Sequence, residues 1–103
     1  MINPQFEPFM PIVLQLLKTH KVKSAYLFGS VLTDHFNDNS DVDFLVNYDD
    51  NMDPLEMGES LMELYIALED NLNRKIDLLT ERSLKNPFFI QEINETKYQI
   101  YGG

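Results

Sequence analysis

The chain has 103 residues, 44% of them hydrophobic, with seven Phe, five Tyr and no Cys, a balance that argues for a folded domain over a disordered segment. Its 17 acidic side chains against 8 basic ones leave a net charge of −9, which repels phosphate backbones and argues against direct binding of DNA or RNA. Apolar runs of four or five residues are too short to cross a membrane, and a chain without cysteine has no disulfide or thiolate chemistry, which is compatible with a cytoplasmic setting. No repeat, linker or secretory leader is legible, so residues 1–103 read as one domain. The charge is uneven: Ser24 to Asn73 holds twelve acidic residues and no Lys or Arg. That half is either a solvated surface or a place where carboxylates collect for a divalent metal.

The chain opens with a helix over Pro8–His20, where Val13, Leu16, Leu17 and His20 recur at i, i+3, i+4 and i+7. Lys18, His20 and Lys21 suit its C-terminal dipole. Ser24–Phe28 then reads as a short buried strand running into a tight turn at Gly29. Residues 31–40 are polar and loop-like, with room for a short helical turn at their start, and His35 among them reads as solvent-facing. Asp41–Val46 is a second strand, with Val42, Phe44 and Val46 on one face and Asp41, Asp43 and Leu45 on the other.

Asp49 and Asp50 mark a turn, and Asp53-Pro54 has the form of an N-cap followed by proline at the first helical position. A long helix follows on Leu61, Leu64, Tyr65, Leu68 and Leu72, with Met62 filling the core. Lys75–Thr80 is a third strand carrying Asp77 opposite Ile76 and Leu78. Asn86-Pro87 opens a last helix through Phe89, Ile90 and Ile93, and Tyr98–Tyr101 ends extended. The order predicts an α/β (α+β) fold, a small mixed sheet with helices over one face.

Aspartate is disfavoured in strands, yet two strands carry it opposite an apolar face. Asp41 and Asp43 project the same way, about 7 Å apart along the strand, and Asp77 joins them if the third strand is a neighbour. Three such carboxylates raise one another's pKa unless a cation intervenes, so the face is either simply wet or a site for Mg²⁺ or Mn²⁺. Gly29-Ser30, at the start of a turn, offers backbone amides and a hydroxyl to an anion. A phosphate cradle beside a carboxylate cluster is what phosphoryl-transfer chemistry needs.

The run LFGS, ten residues and DVDFLV resembles the GS-x10-DxD hallmark of the nucleotidyltransferases built on the DNA polymerase β palm, and KIDLLT resembles the strand bearing their third carboxylate. Length and the C-terminal pattern resemble the minimal nucleotidyltransferases that serve as antitoxins to HEPN-domain toxins. The resemblance implies that Gly29 and Ser30 hold the β- and γ-phosphates of ATP. It further implies that Asp41, Asp43 and Asp77 ligate two Mg²⁺ (or Mn²⁺) ions, with Asp77 helping to deprotonate the acceptor. The implied reaction moves AMP from ATP to a tyrosine hydroxyl of a HEPN partner held in a hetero-oligomer.

One departure stands out. Where many members place arginine after Gly-Ser, this chain reads GSVLTDHF, with no cation until Arg74. Phosphate neutralisation then falls to metal and to Arg74, Lys75, Arg82 or Lys85. A second reading is a catalytically weak binding module that silences its HEPN partner by complex formation alone. Modification of a small molecule, or tailing of RNA, fits poorly with a chain this short.

Overall fold

The computed structural model describes residues 1–102. A 3₁₀ turn (Glu7–Phe9) leads into helix α1 (Met10–Thr19), followed by strand β1 (Ser24–Phe28) and a second 3₁₀ turn (Gly29–Leu32). Strand β2 (Val42–Asn47), helix α2 (Pro54–Leu72), strand β3 (Ile76–Thr80), helix α3 (Pro87–Thr96) and strand β4 (Tyr98–Tyr101) complete the described chain.

The four strands form one mixed sheet in the order β3-β2-β1-β4. Strand β1 is antiparallel to β2 and β4, while β2 and β3 run parallel, joined by the α2 crossover that parallel neighbours require. Asp53 caps α2 by accepting from the Glu56 amide, and Asn73 ends it in the left-handed conformation at φ 50°. Asn86 caps α3 through the Phe88 and Phe89 amides.

The pleat sends Ala25, Leu27, Val42, Phe44, Val46 and Ile76 to one face. There they meet Val13 and Leu17 of α1 and Leu64, Leu68 and Leu72 of α2 in the main core. The expected α/β (α+β) fold with a small mixed sheet is therefore present. The expectation that the helices lie over one face holds for α1 and α2 and needs correction for α3. Ile93 of α3 packs with Phe28 and Leu45 in a second, smaller cluster on the opposite face. The reason is in the strands: Phe28 and Leu45 are apolar where the pleat turns them away from the main core, and α3 removes them from water. Met62, expected in the core, is 59% exposed, because it stands on the side of α2 turned away from the sheet.

Candidate active site

The cluster forms where β1 ends and β2 and β3 begin. Asp43 is cross-strand partner to Phe28 on one side and to Asp77 on the other. Period-2 alternation keeps all three on the face opposite the main core. Asp43 is half-buried and Asp77 exposed. The Asp77 carboxylate lies close enough to hydrogen-bond with Asp43 when Asp43 is protonated. Burial, then the charges of Asp77 and Asp41, push the Asp43 carboxyl up to about 6.

Asp41 precedes β2 and is not held by the pleat. Its side chain is partly exposed, with Oδ2 3.9 Å from Lys75 Nζ. Asp43 and Asp77 are thus brought together, while Asp41 stands at the lip. Among the described residues no three His, Asp or Glu side chains form a closed metal cage. An open carboxylate pair still fits a hydrated Mg²⁺, which keeps waters and takes one or two carboxylates plus substrate phosphate.

Gly29 shapes the other wall. Its φ is +77°, a region that side chains other than glycine rarely adopt, and a Cβ there would collide with the Asp43 carboxylate. Glycine therefore lets the turn approach the carboxylates closely. Ser30 follows within the 3₁₀ turn, whose first amides have no acceptor inside it.

Thr33 closes the turn, donating from its amide (2.9 Å) and its Oγ1 (2.8 Å) to the Ser30 carbonyl. The N-terminal segment clamps the same turn: the Asn3 amide donates to Val31 O and its Nδ2 to Thr33 O, each at 2.8 Å. Sequence reasoning missed Asn3 and Thr33, since their partners are set by tertiary contact and no local pattern marks them. His35 is exposed, as expected.

The turn and Asp43 open onto a cleft of about 580 Å³, whose far wall is Phe89, Glu92, Ile93 and Thr96 of α3. Phe89 meets Phe28 edge-on at 6.2 Å. The placement of α3 on this face is what builds the wall, and the sequence did not reveal it.

The candidate phosphate cations are placed unequally. Arg74 stacks its guanidinium 4.7 Å above the Phe36 ring and donates Nη1 to the carbonyls of Ser40 (2.9 Å) and Asn37 (3.2 Å). It pins the loop that delivers Asp41, which ties it to structure. Arg82 borders a concavity with Lys23, Asn47 and Thr80 at the other end of the strands. Lys75, beside Asp41, is the one of the four in contact with a candidate site residue.

Comparison with known proteins bears on the family. The family model described as polymerase beta, nucleotidyltransferase matches residues 13–102. A proposed protein adenylyltransferase of Methanocaldococcus jannaschii is 38% identical over 76 residues, covering 74% of each chain. A second from the same organism is 36% identical over 81 residues, covering 79% of each. Among solved structures, a chain of a crystallised toxin–antitoxin with AMP-PNP superposes with a TM-score of 0.70 at 27% identity, covering 94% of this chain and 74% of that one.

Proposed function

The chain belongs to the polymerase β nucleotidyltransferase family, and from that premise we propose that it transfers AMP from ATP to a tyrosine hydroxyl of a HEPN-domain toxin, acting in the cytoplasm as the antitoxin of the pair. The observation that carries the reading is the Asp43–Asp77 pair set directly against the Gly29 turn. Relatives named as protein adenylyltransferases and the toxin–antitoxin neighbour with AMP-PNP support the donor and the kind of partner.

In this reading Gly29 leaves room for the triphosphate and Ser30 donates its hydroxyl to the β- and γ-phosphates. Asp41, Asp43 and Asp77 would hold two Mg²⁺ ions, which when bound neutralise phosphate charge and activate the acceptor oxygen. The acceptor hydroxyl gives up its proton toward Asp77 and its oxygen attacks the α-phosphorus. The bond to the β-phosphate oxygen breaks, and pyrophosphate leaves. In this reading the partner protein completes the acceptor side of the site.

The second reading, a module that silences its partner by contact alone, is favoured by one observation: no Lys or Arg lies between Ser30 and Arg74, and Arg74 itself is committed to the 37–40 loop. Mass spectrometry of the purified partner toxin after incubation with this chain, ATP and Mg²⁺ separates the two. Transfer predicts an AMP adduct on a tyrosine, absent when EDTA is present. A stable complex with an unmodified toxin would overturn transfer and leave the binding module.

A further inference from the structure

Helix α2 carries two apolar stripes. Leu64, Leu68 and Leu72 are buried on one side. At about 100° per residue, Leu55, Met62 and Ile66 fall within about 40° of one another on the opposite side, in water. They are 72%, 59% and 51% exposed. A solvated helix face is ordinarily polar, and single exposed apolar residues are common; three in line over three turns are a surface.

Gly58 adds a second feature. Glycine weakens a helix interior, and here no packing calls for it, since nothing lies within 4 Å of where its Cβ would be. The gap leaves a notch between two shallow concavities. One runs toward Leu55 and Glu59 (about 460 Å³) and the other toward Tyr65 and Leu78 of β3 (about 300 Å³).

Charge identifies the occupant. The helix holds Glu56, Glu59, Glu63, Glu69 and Asp70 and no Lys or Arg. Lys21 pairs with Glu56 at 2.8 Å, and His20 lies 3.8 Å from Glu63. Among the described residues, no cation lies within ion-pair distance of Glu59, Glu69 or Asp70. A second copy would bring the same charge, and anionic lipid or nucleic acid would be repelled.

We propose that the solvent side of α2 is a docking face for a cationic amphipathic helix of a partner protein, seated with apolar anchors against Leu55, Met62 and Ile66 and with Lys or Arg against the acidic rim. The stripe spans about 17 Å, three turns of helix, which suits anchors at i, i+3 or i+4, and i+7. It lies across the sheet from Asp43 and Asp77, so an occupied face leaves the cleft open. The proposal stands independently of the transfer reaction.

The test is calorimetry of the full chain with an 18-residue helical Leu/Lys peptide, its Leu side chains on one face. The expected result is binding that weakens at least tenfold in a Met62→Glu/Ile66→Glu double variant and is unchanged in Phe88→Glu. Because the double variant adds negative charge, attraction by charge alone would make it bind more tightly. In the wild-type chain, amide NMR shifts on adding peptide should concentrate over residues 55–66, which keeps the test valid if the double variant misfolds. Equal or tighter binding by a folded double variant, equal binding of a Leu/Glu peptide, or shifts centred elsewhere would overturn the proposal.

Discussion

Replacing Asp43 with Asn is expected to cut AMP transfer about a thousandfold while making the metal-free domain more stable at neutral pH. The loss of transfer follows from removing the half-buried carboxylate that faces both Gly29 and Asp77, since metal-assisted neutralisation of phosphate charge is worth several kcal/mol and each decade of rate about 1.4. The gain in stability follows from the same geometry. Burial and two neighbouring carboxylates lift the Asp43 carboxyl from its ordinary 3.8 to about 6, so the folded chain holds this proton more tightly than the unfolded chain does.

Between pH 4 and pH 6 the folded state therefore carries more protons, and stability falls as pH rises. Asparagine cannot ionise and is free of that loss. The variant and the wild type should melt alike near pH 4 in EDTA and diverge by pH 7. After allowance for solvent screening at a half-exposed group, the difference should be about 1–2 kcal/mol, or roughly 5–10 °C. A wild type that melts higher than Asp43→Asn at pH 7 in EDTA would show that the carboxylates are not in conflict.

Gly29→Ala should damage fold and activity together. The added Cβ meets two obstacles: a φ of +77°, and the Asp43 carboxylate, whose Cγ would lie 3.2 Å away. The backbone term costs about 1–2 kcal/mol, and relief of the contact must displace either the turn or Asp43. Misplacement of a reacting group by about 1 Å costs on the order of a hundredfold in rate. The variant should thus lose about 1–3 kcal/mol of stability and roughly two decades of transfer. Gly58→Ala is the matched control, because its Cβ would enter open space within a helix; it should gain up to about 1 kcal/mol. Unchanged transfer by Gly29→Ala would mean that the turn does not shape the site.

Much of this was legible in the residues themselves. Period-2 alternation in DVDFLV and KIDLLT placed Asp43 and Asp77 away from the core, and the Asp53-Pro54 and Asn86-Pro87 starts matched caps the structure shows. Their pairing needed one fact the sequence leaves open, that β3 lies beside β2 in register.

What was not legible depends on contacts distant in sequence. Phe89 and Ile93 mark an amphipathic helix but not which face of the sheet it covers. Arg74 looked available to phosphate, yet its partners are carbonyls 34 and 37 residues away. Met62 reads as core filling in the sequence, although its stripe points outward. Tyr65 is only part-buried, its hydroxyl donating to Glu69 at 2.8 Å.

ATP labelled separately at its α- and γ-phosphates tests most directly whether the Asp43–Asp77 cleft moves the nucleotidyl group. The chain, its toxin partner and Mg²⁺ should place α-label on the toxin, no γ-label, and neither label in EDTA. Gamma-label on the toxin, or α-label undiminished in Asp43→Asn, would contradict the account.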